Sequence, residues 1–151
     1  EKYVLLEVKT DAYSDKKSQI KLADVNIRYV DMKDNHTTKL NSDIYASFTR
    51  SRKAYDSKQN KHVYADVVEQ IAIENNEKAL ALRDKGKVQE AKQLLIFDSS
   101  YLRSNATTLG SNKLTGYADE NEKDAEAVEK EDWNVQRKVM RESQSTRKTQ
   151  R

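Results

Sequence analysis

Cysteine and proline are both missing from this 151-residue sequence, and glycine occurs only three times, as Gly86, Gly110 and Gly116. Without cysteine there can be no disulfide, thiolate metal site or cysteine nucleophile, and the redox compartment stays open. Without proline nothing forces a break in a long helix. Three isolated glycines exclude phosphate-cradling loops, and no serine sits in the glycine-flanked setting of a nucleophile elbow. No apolar run approaches the roughly 20 residues that cross a bilayer, and no basic segment followed by a short apolar one reads as a leader.

What is present is charge. Charged residues make up 35% of the chain and hydrophobic residues 36%, with 28 basic against 25 acidic side chains and a net charge of +3. That balance suits long solvent-washed helices over a thin core, and the basic surplus is too small to imply a nucleic-acid partner. The opening Tyr3-Val4-Leu5-Leu6-Glu7-Val8 reads as a strand already under way. The chain is therefore expected to be a piece of a longer protein whose targeting signal, and extracytoplasmic destination, are set elsewhere.

The period of the hydrophobic pattern divides the chain into an antiparallel β-sheet portion over 1–55, a helical region over 56–140 and a disordered tail over 141–151. The expected fold class is α+β. Ile20 and Leu22 share one parity and Val25, Ile27 and Tyr29 the other, so a bulge near Ala23 or Asp24 keeps one face apolar. Leu40, Ile44, Ala46 and Phe48 alternate cleanly, and Asp34 with Asn35 supplies the turn between the two runs. Counting the first segment, about three strands are expected. Their apolar face needs a second layer: the helices, a second copy of the chain, or strands of a parent protein.

From about residue 57 a helical stripe runs through Val63, Val67, Ile71, Asn75, Lys78 and Leu82, flanked by Val68, Ala72 and Ala79, and stops at Gly86. A second helix carries Ala91, Leu94, Leu95, Asp98, Tyr101 and Leu102, completing a helical hairpin. A third is expected around Leu114, Tyr117 and Ala118. A fourth is expected through Ala125, Val128, Trp133, Val135 and Val139. The run Ala79 to Leu95 resembles the turn and second helix of a tetratricopeptide unit, but one unit cannot stack and an isolated hairpin is preferred.

No constellation of reactive residues stands out. His36 and His62 lack a third ligand and read as exposed. Glu120, Glu122, Asp124, Glu126, Glu129 and Glu131, between Asp119 and Asp132, are spaced like a helix surface and read as solvated rather than cation-binding. The basic end, with Arg137, Lys138, Arg141, Arg147, Lys148 and Arg151, lacks the interleaved aromatics of a single-strand binder. Asp24, Asp31 and Asp43 are too scattered to suggest acid–base catalysis. Two glycosylation triplets begin at Asn35 and Asn105 and matter only in a secreted eukaryotic setting. No catalytic, cofactor or metal residue is assigned.

The first strand, the paired strands, then Glu69, Ile71, Ala72, Asn75, Lys78-Ala79-Leu80, Gly86-Lys87-Val88, Glu90-Ala91 and Glu131-Asp132-Trp133 with Arg137-Lys138 form an ordered pattern. It resembles the region following the von Willebrand factor A domain in bacterial VWA-domain proteins, similar to the calcium-activated chloride channel and inter-alpha-trypsin inhibitor heavy chain group. The resemblance implies a β-sandwich, shared with the A domain's flanking strands, followed by a helical tail. The family's D-x-S-x-S metal motif is absent, since Asp98-Ser99-Ser100-Tyr101-Leu102 ends in leucine. The expected role is non-catalytic: a structural and protein-interaction segment of an envelope-associated protein that supports or positions the adhesive A domain. The partner is another protein, adjacent domains of the parent chain, or a twin completing the sheet. The alternative is a nucleic-acid-binding module built on the basic C-terminal helix, with a carboxylate hydrolase ranked last.

Overall fold

The structure, a computed structural model, describes residues 5–9, 19–130 and 132–149. They divide into two compact units that meet in sequence at Gln59 and Asn60. The first unit is built on a β-ribbon and the second on helices, which makes the chain α+β.

In the ribbon, strand β1 (Gln19–Val30) pairs antiparallel with strand β2 (Thr37–Ser47). The connecting turn closes with the Asp31 amide donating to the His36 carbonyl at 2.8 Å. Asp34 accepts from the His36 amide at 3.0 Å, and Asn35 takes a left-handed φ of 57°, a conformation that asparagine tolerates. The register shifts between Lys21 and Ala23, so Leu22 is the bulged residue, one position before the expected site. Opposed residues share a face. Ile20/Ala46, Ala23/Ile44, Val25/Ser42, Ile27/Leu40 and Tyr29/Thr38 line one face, while Lys21/Tyr45, Asp24/Asp43, Asn26/Asn41 and Arg28/Lys39 line the other.

The sheet differs from expectation in its size. Among the described residues it has two strands, not three, and no β-sandwich is formed. Residues 5–9 are irregular, while Tyr3 and Val4 of the expected first strand lie outside the described residues. Composition did not suffice there: adjacent Leu5 and Leu6 do not alternate, and a strand needs a neighbour to pair its backbone. The apolar face is covered only in part: Ile20, Ala23, Val25 and Ala46 are half-buried, while Ile27 and Leu40 are each 51% exposed and no residue of either strand is fully buried.

Helix α1 (Arg52–Lys58) is capped by Ser51, whose hydroxyl accepts from the Ala54 amide at 3.2 Å. It stops at an extended Gln59, and Asn60 then caps α2 (Lys61–Asp84) by accepting from the His62 and Val63 amides. Helix α1 thus falls largely in the expected sheet portion, and the helix expected from about residue 57 starts at Lys61. Gly86 (φ 79°) turns the chain into α3 (Val88–Leu109), and Gly110 (φ 68°) ends that helix before Ser111 caps α4 (Asn112–Ala127). Helix α5 (Trp133–Lys148) continues through most of the expected disordered tail. Charge and aromatic contacts hold it there, with Arg147 stacked 4.0 Å from the Tyr117 ring and Lys148 2.8 Å from Glu77.

The core of the helical unit forms in layers. Val68, Ala72 and Ile73 of α2 pack with Leu102 and Ala106 of α3 and with Leu114, Tyr117 and Ala118 of α4. A second layer joins Ala79, Leu80, Leu95, Ala125, Val128 and Met140. Burying each large side chain contributes roughly 1.5–3 kcal/mol. The buried stripe of α2 is rotated from the one read in the sequence: the flanking Val68, Ala72 and Ala79 form its centre, while Val63 is 54% and Ile71 40% exposed. Polar Glu69 and Asn76 occupy core positions, which disguised the true face. On α5, similarly, Met140 is buried while Val135 and Val139 face water.

Candidate functional site

Between the two apolar layers lies a polar one. Asn76 on α2, Asp98 on α3 and Asn121 on α4 are each at most 2% exposed and sit, in every helix, between residues of the two layers. Asn75 donates to Asp98 Oδ1 at 2.7 Å and Asn121 donates to Oδ2 at 2.8 Å. Asn76 donates to Asn121 Oδ1 at 2.9 Å and reaches the Tyr117 hydroxyl at 3.2 Å. Burial pushes the Asp98 carboxyl up to about 6, while the amides of Asn75 and Asn121 pull the other way by holding its charged form. All these side chains turn toward one another. The arrangement fixes the register of three helices and leaves no reactive atom facing a cavity.

The sequence marked two of these positions without interpreting them. Asn75 and Asp98 fell on otherwise apolar stripes, and a polar residue at a core phase is the available signal for a buried network. Asn76 and Asn121 carried no comparable signal. In the string Asp98-Ser99-Ser100, Ser99 donates to Glu122 at 3.1 Å and Ser100 back-bonds to the Ile96 carbonyl, as helical residues do.

Among the described residues the acidic cluster over 119–132 does not converge, and Glu131 lies outside them. Asp119 and Glu122 bind Arg103 at 2.9 and 2.7 Å, Glu120 binds Arg147 at 2.7 Å, and Glu129 binds Lys92 at 2.6 Å. Asp124 is pushed up to about 6 by burial despite accepting from Gln136 at 2.9 Å. These carboxylates therefore join helices instead of only facing solvent. Among the described residues no group of three or more His, Asp or Glu is placed to hold a metal ion. His36 and His62 are both exposed, one in the β-turn and one in the first turn of α2.

The basic end is largely committed to internal partners. Arg137 forks onto Asp84, with Nε at 2.8 and 2.9 Å and Nη2 at 2.7 Å, and this pairing holds the Asp84 carboxyl below its usual range. The Trp133 indole donates to the same carboxylate at 3.1 Å, and Arg83 lies 5.0 Å from the Trp133 ring. Arg147 Nη1 also reaches the buried Glu69 at 3.6 Å, which accepts from Lys113 at 2.6 Å. A groove of about 440 Å³ runs between α2 and α5, lined in part by Glu77, Leu80, Asp84, Arg141, Gln144 and Lys148. Its charges pair across it. Arg151 lies outside the described residues.

On the ribbon, Asp24 and Asp43 oppose one another with Lys21 ion-paired to both, at 2.9 Å from Asp43. Lys21 holds the Asp43 carboxyl down, the wrong direction for a general acid. Asp31 belongs to the turn, where it accepts from the Lys33 amide at 2.9 Å. The opposite face of β1 and β2 brings exposed Ile27, Tyr29, Leu40 and Ile44 together on one surface, and it is the candidate functional site. No protein-family model matches the chain, and no curated protein or solved structure shows significant similarity to it.

Proposed function

We propose that this chain is a non-catalytic structural and protein-interaction segment whose ribbon supplies the docking surface. The observation that carries this reading is the clustering of Ile27, Tyr29, Leu40 and Ile44 on one side of the ribbon, each at least 44% exposed, while the middle of the other side holds Asp24, Asn26, Arg28, Lys39, Asn41 and Asp43, with Val30 and Tyr45 toward its ends. A two-stranded ribbon is marginal in water and gains stability when a further strand or layer covers its apolar face. The helical unit supports the assignment from the opposite direction, because Asn76, Asp98 and Asn121 and most charges near them are spent on one another. Such a segment suits the expected place beside the A domain of an envelope-associated VWA-type protein, where strands of the parent would complete a sandwich.

Site-specific photo-crosslinking in the producing cell tests the reading. A crosslinker at Ile27 or Leu40 is expected to capture protein, and one at Asn41, on the polar face of β2, is expected to capture little. Equal capture from both faces would refute the docking surface. Turnover of an ester, peptide or phosphate substrate that is lost on a single carboxylate substitution would refute the non-catalytic assignment.

A further inference from the structure

The charges on the polar face of the ribbon are arranged against the hairpin that carries them. Asp24 stands directly opposite Asp43, and Arg28 directly opposite Lys39. Like charges at opposed positions destabilise a ladder, and only the acidic pair has a counterion, in Lys21. One end of the ribbon's polar face is thus acidic and the other basic. The order of β2 and β1 leaves the outer edge of each strand without a ladder among the described residues. Unpaired edges recruit further strands.

We infer that the occupant of the β1 edge is β1 of a second copy of this chain, antiparallel about a twofold axis through Asn26. That register sets Asp24 of each copy against Arg28 of the other, turning two repulsive neighbours into two opposite-charge pairs. On the apolar face it sets Val25 against Ile27 and Ala23 against Tyr29. The bulge at Leu22 falls at the end of the matched stretch, which runs from Leu22 to Val30 over about 30 Å. The β2 edge serves less well: centred on Asn41 it also opposes Lys39 to Asp43, but it sets Leu40 against Ser42. The product is a four-stranded sheet in the order β2-β1-β1-β2 with one continuous apolar face and an isologous interface. The inference rests on the ribbon being a docking element and names one partner for its β1 edge, the twin doubling the apolar face without covering it.

The test is sedimentation velocity of the full 151-residue chain over a wide concentration range, for the native sequence, Asp24→Arg, Arg28→Asp and an equimolar mixture of the two variants. Each substitution removes a like-charge opposition inside the hairpin; Asp24→Arg also removes an ion pair with Lys21, which keeps Asp43, and amide exchange of β1 and β2 checks that the ribbon survives in both variants. The native chain is expected to dimerise. Each variant alone is expected to weaken the dimer by about tenfold or more, and the mixture to restore it, because the two changed strands then oppose Arg to Asp at both positions. A native chain that stays monomeric throughout overturns the inference, as does self-association indifferent to both substitutions. A monomer that still yields crosslinks from Ile27 to another protein would sink the twin and leave the docking surface standing.

Discussion

In the helical unit Leu95 and Leu102 are fully buried and even the Asp98 carboxyl is out of contact with solvent, whereas in the ribbon Ile27 and Leu40 keep half their surface in water. Both units follow the periodicity of their sequences. They differ in whether a partner surface for each apolar face lies within the described residues. Helices α2, α3 and α4 supply faces to one another, with polar groups between them matched donor to acceptor. In the ribbon the two described strands lie side by side in one sheet, so neither covers the other's apolar side chains and Ile27, Tyr29, Leu40 and Ile44 stay exposed. A cluster of exposed apolar side chains on one face is where a partner gains most.

The sharpest way to break this comparison is to truncate one apolar residue in each unit. Leu102→Ala should cost about 3 kcal/mol of stability, because a fully buried leucine leaves a cavity. Ile27→Ala should cost under about 1 kcal/mol in the dilute monomer, where half the side chain is already hydrated. Urea unfolding followed by circular dichroism measures both. A cost at Ile27 equal to that at Leu102 would mean that the ribbon face is covered.

Asp98→Ala comes next, at about 2 kcal/mol, because the buried amides of Asn75 and Asn121 each lose their acceptor. The same denaturation experiment on Ile73→Val, a smaller apolar deletion in the adjoining layer, gives the reference. If Asp98→Ala proved neutral, the polar layer would be solvated rather than self-satisfied, and the contrast with the ribbon would weaken.

What was legible from the residues follows the same division. The alternation of Leu40, Ile44 and Ala46, the bulge beside Ala23 and the turn at Asp34 and Asn35 all follow from a period of two, and each is present within one residue. The stop at Gly86 follows from glycine's access to positive φ. Features that depend on distant partners were not legible. The core positions of Asn76 and Glu69 were not identified, because nothing local announces Asn121 or Lys113 across the bundle. The end of α5 read as disordered because Gln144 and Arg147 bury themselves without an apolar stripe. The third strand failed because Leu5, Leu6 and Val8 have the composition of a strand without a pairing partner among the described residues.

Acid should separate the two units. Asp98 and Asp124 have carboxyls raised to about 6 by burial, so the folded bundle holds protons that the unfolded chain, near 3.8, releases. Their contribution to stability is fully present below about 3.8 and is lost as pH rises through about 6. Asp84, Glu122 and Glu129 run the other way, with carboxyls held down by Arg137, Arg103 and Lys92, and their contribution is lost only in stronger acid. The bundle should therefore melt at higher temperature near pH 5 than near pH 7.5, by on the order of 1 kcal/mol for each raised carboxyl. Asp98→Asn should remove its share of that difference. A flat profile between these two pH values would show that neither carboxyl is held away from water.

The smallest effect is expected where α5 meets α2. Trp133 is the only tryptophan, and its indole shares the Asp84 carboxylate with Arg137 while Arg83 stacks on its ring. Asp84 and Arg137 are each about one-third exposed, so solvent and salt screen their attraction and the pair contributes little to global stability. Asp84→Ala should leave the melt of the whole bundle close to native. It should nevertheless shift Trp133 emission to longer wavelength and make it sensitive to a soluble quencher, because the ring loses the hydrogen bond that seats it and Arg137 is released beside it. Raising the salt concentration should move native emission part of the way in the same direction. Unchanged emission in the variant would mean that Met140 and the cation–π contact with Arg83 hold the start of α5 unaided, and that its charges, like those on the ribbon, are free to serve a partner.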